Sequence, residues 1–465
     1  MPIDSRRPNV VVLYTDQQRW DTTGVHGNPL DLTPNFDRMA RAGTLVAQAC
    51  TPQPVCAPAR AALQTGRYPT SNGVYRNGIP LSTDARTMAH HFAEAGYATG
   101  YIGKWHLADT EPVPAEQRGG YQSWLGANVL EFTSAEYCTV VFDEAGAPVA
   151  LPGYRSDALT DAAIRFVADH SRVDGGTGDR PFFLFVSYVE PHHQNTTDSY
   201  PAPEGYQERY QGRWLPPDLA AQGGTAHQHI GGYFGQVKRL DEGLGRLLDA
   251  LRSMGIRDDT IVAYTSDHGC HFKTRNNEYK RSCHDGSIRV PFALAGPGFD
   301  GGGALDAPVT TIDLAPTLLD AAGLGVPEDM QGRSFLPLLR HEGADWPDEV
   351  FIQVSESEVG RAIRTSRWKY YVIAPEADPW GMAGATEYRE EALYDLAADP
   401  YELDNLIGLE SHRAVADELC ARLIRRMVEV GETEPSVAPA PARPGGQRQV
   451  DVETCTPVRF GHQPP

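Results

Sequence analysis

The chain has 465 residues, of which 41% are hydrophobic and 22% are charged. This length predicts one large domain with a smaller one, and the apolar content excludes a wholly disordered chain. Its 41 basic and 61 acidic residues give a formal net charge of −20. That charge argues against a nucleic acid or an anionic membrane as the main partner.

The sequence gives little indication of a membrane-spanning segment, a signal peptide or disulfide bonds. No apolar run approaches the roughly 18–20 residues that cross a bilayer, and the early run VVVLY is too short for the core of a signal peptide. We therefore expect a soluble, cytoplasmic protein. The seven cysteines are scattered without a CxxC pair, which favours free thiols over a disulfide framework or a zinc site. A homo-oligomer is retained as one possible assembly of the protein.

Apolar runs alternate with helix-like segments over residues 1–345, which predicts an α/β domain whose large, mostly parallel sheet lies between helices. Several of the predicted strands are apolar throughout, as strands buried on both faces are; they cover residues 9–14, 97–102, 181–188, 260–265 and 291–295. The predicted helices cover residues 34–43, 156–170, 233–251 and 313–322.

A change of composition after Leu339 marks a linker, HEGADWPDE. Beyond it we predict strands over 350–354, 361–364 and 368–373, a turn-rich segment and a helix over about 411–430. These elements predict a small α+β domain over residues 346–431. Residues 432–465 are rich in proline and glycine and are expected to form an extended tail.

Polar side chains follow four of the predicted strands. Open α/β sheets bind ligands beyond the carboxyl ends of their strands, so these residues are expected to meet at one edge. Any one of them has a simpler structural explanation, such as a helix cap or a packing histidine. Four together favour a site, made of Asp16, Gln17, Lys104, His106, His192, His193, Asp267 and His268.

The pairs Asp16-Gln17 and Asp267-His268 offer carboxylate, amide and imidazole groups. That set suits a divalent cation with mainly oxygen ligands. Such an ion could neutralise charge that develops during ester cleavage.

The segment CAPARAALQTGR predicts a helix that begins just past Cys56, with proline near its first turn. A side chain at Cys56 would face free backbone N–H groups, which favour a bound oxyanion, and Arg60 lies one turn further on. A thiolate nucleophile and a buried structural cysteine are the competing interpretations.

This segment resembles the C-x-P-x-R signature of the type I sulfatases, which belong to the alkaline phosphatase-like superfamily. Further segments resemble that family in the same order, over roughly residues 8–410. They are TDQ, GKWH, EPH, TSDHG, YKRSCHDGSIRVPF, RAIRTSRWKYYV and LYDLAADPYELDNL.

The resemblance implies that a formylglycine-generating enzyme oxidises Cys56 to formylglycine. One hydroxyl of the hydrated form would attack sulfur and give a covalent sulfate, and the other would then expel it. The resemblance also implies a metal held by Asp16, Gln17, Asp267 and His268, with Cys56 beside it.

Further roles are implied for other residues of these motifs. Arg60 would orient the modified residue, Lys104 and Lys280 would bind the sulfate oxygens, and His106 would contact the formylglycine diol.

His192 would protonate the leaving alcohol, although the neighbouring His193 could exchange roles with it. Four more residues are candidates for a substrate pocket, with solvent exposure as the alternative: His271, Arg275, Arg281 and His284.

The chain departs from the resemblance at the metal. Many sulfatases have two aspartates at the first position and Asp-Asn at the second, whereas this chain has Asp-Gln and Asp-His. The same combination is found in relatives that cleave phosphonate or phosphate esters. Ca²⁺ is still expected first, and because an imidazole and an amide lower the number of anionic ligands and admit a softer ion, Mn²⁺ is expected second.

We therefore expect a hydrolase that cleaves a sulfate monoester, of a carbohydrate or another small molecule, to an alcohol and sulfate. The main alternative is a phosphonate monoester hydrolase or phosphodiesterase on the same scaffold. A silent binding protein and a plain cysteine hydrolase are weaker alternatives.

Overall fold

The computed structural model describes residues 7–171, 180–301, 303–342 and 345–443. In chain order, its strands are β1 Asn9–Thr15, β2 Thr44–Val46, β3 Ala49–Cys50, β4 Ala98–Lys104, β5 Ser123–Ala127, β6 Thr139–Phe142, β7 Pro148–Leu151, β8 Phe182–Ser187, β9 Thr260–Ser266, β10 Ala293–Ala295, β11 Ala304–Leu305, β12 Val309–Thr310, β13 Glu349–Val354, β14 Gly360–Thr365, β15 Trp368–Ile373, β16 Glu387–Asp395 and β17 Ser436–Ala438.

Its α-helices are α1 Pro34–Ala42, α2 Cys56–Thr65, α3 Pro69–Asn72, α4 Met88–Glu94, α5 Leu130–Thr133, α6 Arg155–His170, α7 Tyr206–Tyr210, α8 Pro217–Ala221, α9 Ala226–Ser253, α10 Asp285–Ile288, α11 Leu314–Ala321, α12 Leu336–Leu339 and α13 Arg413–Glu429. Among the described residues, no helix combines the length and apolar character that crossing a bilayer requires. The six cysteines in that part of the chain are all free, and Cys455 lies outside it.

The large sheet has the strand order β11-β2-β10-β9-β1-β8-β4-β5-β6-β7. Its central strands, β9, β1, β8, β4 and β5, are parallel, and β10, β6 and β7 join them antiparallel. Val10 and Val12 pack into the core on one face of the sheet, and Val11 and Leu13 into the core on the other. This alternation explains the continuous apolar run. The predicted α/β fold is confirmed.

The large sheet and its helices differ from the sequence prediction at several places, and the short strands β2 and β11 are among the elements that were not predicted. Strands β5, β6 and β7 were not predicted, because they are short and β5 reads SWLGA, which lacks a clear apolar pattern. Helix α9 begins at Ala226 rather than at residue 233. A Cβ at position 232 would lie 2.1 Å from the carbonyl oxygen of Tyr200, so this close packing requires glycine. Because glycine disfavours helices, the sequence shows no clear helical pattern over the first part of α9.

The second sheet has the order β13-β14-β15-β16-β17, with α13 packed against it. Strands β13 to β16 are antiparallel, and β17 pairs in parallel with β16. The segment from 432 to 443 therefore lies against this sheet rather than extending from it, and Arg361 donates to both oxygens of Glu432 at 2.9 Å. Residues 444–465 of the predicted tail lie outside the described residues, and the domain boundaries stay predictions.

A buried ionic network joins the second sheet to the large domain. Arg364 donates to both oxygens of Asp285 at 2.9 Å, and Lys369 donates to Asp285 at 2.6 Å and to Glu402. Burial alone would raise the pKa of Asp285, but Arg364 and Lys369 hold it well below its usual range. The two sheets are thus connected by charges that neither could bury alone.

We predict that Arg364→Met lowers the free energy of unfolding by about 3–5 kcal/mol, because it removes both guanidinium donors from the buried Asp285 carboxylate and leaves Lys369 shared between Asp285 and Glu402. Urea denaturation measures the change. The matched control is Arg367→Met, since Arg367 pairs with Asp395 but is 61% exposed, and its loss is expected to cost below about 1 kcal/mol. Equal losses in the two variants would contradict the assignment.

Candidate active site around Cys56

The carboxyl ends of the central parallel strands bring the predicted residues together. Asp16 follows β1, Asp267 follows β9, Lys104 ends β4, and His192 comes after β8. Helix α2 begins at Cys56 and presents its first residue to the same edge. The convergence at one edge follows from the parallel direction of the strands.

Four ligand-type side chains form a group that could hold a metal ion. One ligand atom each from Asp16, Cys56, Asp267 and His268 lies within 4.8 Å of the others, and all four residues are buried. The Nε2 of His268 lies 3.7 Å from Asp16 Oδ1 and 3.5 Å from Asp267 Oδ1. Carboxylate oxygens with one imidazole are a donor set that suits a divalent cation.

The charges at this group also fit a cation. Burial raises the pKa of Asp267, and the neighbouring Asp16 carboxylate raises it further. Burial would raise the pKa of Asp16 too, but Lys104 and Arg60 are among the groups that hold it well below its usual range. Two buried carboxylates this close repel each other, and a divalent ion between them would remove that repulsion.

Gln17 lies beside the group in a left-handed conformation, with φ of 69°. Its backbone N–H donates to Asp267 Oδ1 at 2.9 Å. Its side-chain Oε1 lies 3.3 Å from His193 Nδ1, and its Nε2 lies 3.6 Å from Cys270 Sγ. The backbone of Gln17 therefore positions a carboxylate, and such strained residues cluster at functional sites.

Arg60 holds the two carboxylates in place. Its Nη2 donates to Asp16 Oδ2 at 2.9 Å and to Asp267 Oδ2 at 3.2 Å. Its Nη1 donates to Ser187 Oγ at 2.6 Å and to the Lys104 carbonyl oxygen at 3.1 Å. The planar guanidinium is suited to this, because its donors have fixed directions.

The Cys56 sulfur lies among cationic and imidazole groups. Lys280 Nζ is 2.7 Å from it and His268 Nε2 is 3.3 Å away. Burial would raise the pKa of the thiol, but Lys280, Lys104 and His268 hold it well below the usual value. Lys280 Nζ also lies 3.3 Å from His192 Nε2. An anion at this position is therefore strongly favoured.

A cleft of about 380 Å³ opens above Cys56. Most of its lining residues are polar, and they include His106, His192, His193 and Lys280. The remaining lining residues are Asn77, Val129, Glu131, Phe132, Asn195, Glu278, Tyr279 and Arg281.

Three predicted substrate residues do not line this cleft. His271 Nε2 is bonded to the Lys280 carbonyl oxygen at 2.9 Å, and Arg275 donates to the carbonyl oxygens of Tyr401 and Glu402 at 2.8 Å each. His284 Nε2 is bonded to the Tyr394 hydroxyl at 3.1 Å. The loop that carries these residues packs against the second sheet. Arg275 and His284 hold the loop there, and His271 supports the backbone of Lys280.

Glu131 was not predicted from the sequence, although its Oε1 lies 2.7 Å from Lys104 Nζ. Glu131 comes shortly after β5, the parallel neighbour of β4. Recognising SWLGA as a strand would have added Glu131 to the polar residues expected at this edge. Asn77 was missed too; its Oδ1 accepts the N–H of Ala57 at 3.0 Å, next to Cys56.

Two family models match the chain. The model described as Sulfatase matches residues 8–324, and the model described as N-sulphoglucosamine sulphohydrolase, C-terminal, matches residues 278–429. The first covers the large sheet and most of the residues around Cys56, and the second begins before Lys280 and continues through α13.

Among known proteins, an ulvan-active sulfatase of Formosa agariphila is 29% identical over 92% of this chain and 82% of its own. An N-acetylglucosamine-6-O-sulfatase of Bacteroides thetaiotaomicron is 26% identical over 93% of this chain and 88% of its own.

A solved structure in complex with its substrate D-glucosamine-2-N,6-O-disulfate has a TM-score of 0.75 at 25% identity, covering 92% of this chain and 99% of that one. The fold is also shared with a phosphonate monoester hydrolase of Agrobacterium radiobacter, with a TM-score of 0.69 at 24% identity over 91% and 96% of the two chains. The family models and the sulfatase relatives agree with the site, and the chain therefore belongs to the type I sulfatases of the alkaline phosphatase-like superfamily and is an enzyme that hydrolyses sulfate esters.

Proposed function

We propose that this sulfatase acts on a sulfate monoester of a saccharide, with Cys56 oxidised to formylglycine and one divalent cation bound beside it, Ca²⁺ in preference to Mn²⁺. One observation carries the proposal: the Cys56 sulfur lies at the base of the cleft, 2.7 Å from Lys280 Nζ and within the candidate metal group. The sulfur marks the place of the formylglycine hydroxyl oxygens.

The proposed cation and the proposed formylglycine both suit the surrounding residues. The cation would bind Asp16, Asp267, His268 and the group at position 56, with Gln17 beside it, and would supply a fixed positive charge for an anionic ester. Hydrated formylglycine would supply a hydroxyl nucleophile. Every residue of α2 is buried, so a formylglycine-generating enzyme would need this segment before the chain folds.

Two lysines are suited to bind the sulfate oxygens. Lys104 Nζ is fixed between Asp16 Oδ2 at 2.8 Å and Glu131 Oε1 at 2.7 Å, and Lys280 Nζ reaches the group at position 56 from the other side. Because both ammonium groups are held before the ester binds, they would stabilise charge in the transition state without reorganising. Arg60 would hold Asp16 and Asp267, and His106 would contact the nucleophile from the cleft.

His192 is suited to protonate the leaving alcohol. Its Nδ1 lies 2.6 Å from the His193 carbonyl oxygen, an acceptor, so Nδ1 carries a proton and Nε2 is the atom that exchanges one. That Nε2 faces Lys280 beside the cleft. His193 also lines the cleft, but its Nδ1 contacts Gln17, which favours His192 for proton transfer.

The saccharide part of the proposal is supported by the names of the relatives and by the cleft. An ulvan-active and an N-acetylglucosamine-6-O-sulfatase are similar over most of the chain. The cleft combines charged side chains with the rings of Phe132 and Tyr279, a mixture that suits sugar rings and hydroxyl groups. The alternative, a phosphonate monoester hydrolase, is favoured only by the Asp-Gln and Asp-His pairs.

We predict that Cys56→Ala lowers sulfate release from para-nitrophenyl sulfate by about 10⁴-fold or more, because alanine supplies no nucleophile. Mass spectrometry of the wild-type peptide that contains residue 56 is expected to give the formylglycine mass when the protein comes from its native host. An unmodified, fully active wild-type protein would refute the formylglycine part, and inhibition by thiol alkylation would indicate a cysteine hydrolase.

We predict that a chelator abolishes activity and that Ca²⁺ restores it better than Mn²⁺, because the metal group offers mainly hard oxygen donors. Ca²⁺ at 100 times its dissociation constant is expected to stabilise the fold by about 2.7 kcal/mol, measured by thermal unfolding. Asp267→Asn should lose this shift. The control Asp249→Asn, at an aspartate that is 71% exposed on α9, should keep it.

We also predict that kcat/KM for a saccharide sulfate exceeds that for a matched phosphonate monoester on the same metal-loaded enzyme. Both esters carry one negative charge, but a sulfate monoester offers three non-bridging oxygens to the cation and the two lysines, whereas a phosphonate monoester offers two oxygens and a carbon substituent. Faster phosphonate turnover by orders of magnitude would replace the proposed substrate with the alternative one.

A further inference from the structure

Glu131 has one carboxylate oxygen in use and one without a partner. Its Oε1 is bonded to Lys104 Nζ at 2.7 Å. Its Oε2 is buried and has no hydrogen-bond partner within the part of the chain that the structure describes. The residue is only 3% exposed and lines the cleft above Cys56. A buried polar oxygen with nothing to bond is unfavourable, and such groups in native proteins call for a partner from outside the chain.

The carboxylate keeps its charge in this place. Burial would raise the pKa of Glu131, but Lys104, His192 and His106 lower it to about 2. A carboxylate that is ionised only accepts hydrogen bonds, so its natural partner is a donor. The main chain holds it as well, because the Glu131 carbonyl oxygen accepts a hydrogen bond from Gln194 Nε2 at 2.8 Å.

The other cleft carboxylate is different. Glu278 pairs with Arg281 at 2.6 Å, and its side chain is 51% exposed. The oxygens of Glu278 are therefore open to solvent beside Arg281, whereas Glu131 Oε2 is buried without a protein partner among the described residues. Within the described lining of the cleft, His106 Nδ1, Arg281 Nε and Glu131 Oε2 are buried without a hydrogen-bond partner, and Glu131 supplies the one carboxylate oxygen among them.

We propose that Glu131 is a specificity-determining residue, whose Oε2 accepts a hydrogen bond from a hydroxyl group next to the sulfated carbon of the substrate. The inference rests on the proposed function, because it places the sulfate against Lys104. Oε1 and Oε2 belong to one carboxylate, so a donor on Oε2 lies within a few bond lengths of an ester held by Lys104. An ester without such a donor would leave Oε2 buried without a hydrogen-bond partner, which is unfavourable.

The test compares the monosulfates of vicinal cyclohexanediols, cis and trans, with their mono-O-methyl ethers, which lack the donor. Wild-type enzyme loaded with metal is expected to prefer the better-fitting hydroxyl ester over its ether by about 10- to 100-fold in kcat/KM, the range for a hydrogen bond to a charged group. In Glu131→Gln the amide oxygen can stay on Lys104 while the amide NH₂ replaces Oε2, so this preference should fall to about one.

Glu278→Gln is the matched control, since it makes the same change on the other cleft carboxylate and should keep the wild-type preference. A preference that persists in Glu131→Gln, or that disappears equally in both variants, would overturn the proposal. Loss of Lys104 positioning alone would slow every ester in Glu131→Gln by one factor and leave the preference intact, which also overturns it.

If Glu131→Gln turns over no ester, calorimetric dissociation constants of the same four esters replace kcat/KM, with the same criterion. Hydrolysis of para-nitrophenyl sulfate distinguishes a failure of the role assigned to Glu131 from a failure of the proposed function. Wild-type enzyme that cleaves it but does not discriminate within the pairs refutes the role of Glu131 alone. Wild-type enzyme that cleaves no sulfate ester refutes the proposed function, and the calorimetric ratios still decide the role of Glu131.

Discussion

A single buried guanidinium, that of Arg60, is bonded to groups from four neighbouring strands of the large sheet. Its partners are the carboxylates that follow β1 and β9, the Ser187 hydroxyl at the end of β8 and the Lys104 carbonyl oxygen at the end of β4. Arg60 lies one turn along α2 from Cys56, so the same contacts fix the start of that helix against the sheet edge. Arg60 therefore helps to fix the position of Cys56 relative to Asp16 and Asp267.

The site also depends on a balance of buried charges. Arg60, Lys104 and Lys280 stand against Asp16, Asp267, Glu131 and the anion favoured at position 56. Arg60 and Lys104 both contact Asp16, whereas of these two cations Arg60 alone contacts Asp267, at the longer distance of 3.2 Å. Burial and the Asp16 carboxylate raise the pKa of Asp267. A divalent cation at the metal group would neutralise the excess negative charge near Asp267, where it is largest. The anion of a sulfate ester would then be balanced by the positive charges of Lys104 and Lys280.

The second sheet supports the cleft from the opposite side. Glu356, between β13 and β14, accepts the backbone N–H of Asn77 at 2.6 Å and pairs with Arg281 at 2.6 Å. Asn77 in turn accepts the N–H of Ala57, and Arg281 follows Lys280 directly. One carboxylate of the second sheet thus braces both the start of α2 and the loop that carries Lys280, and the Asp285 network anchors the same loop further on.

The sequence by itself determined the central parallel strands, because β1, β8 and β9 are buried on both faces and are therefore largely apolar. Polar residues follow each of these strands, and their combination favoured a site at one edge of the sheet. It also determined the start of α2 from its proline and the group of residues around Cys56, Lys104, His192 and Lys280. Short strands such as β5 have no clear alternation of apolar and polar residues, so β5 was not predicted and Glu131, which follows it, was not predicted as a site residue. Only the tertiary structure decided that His271, Arg275 and His284 face away from the cleft and that β17 joins the second sheet. A histidine or arginine in a polar loop has the same sequence signal whether it meets a substrate or a neighbouring carbonyl oxygen, because the partner that decides lies far away along the chain.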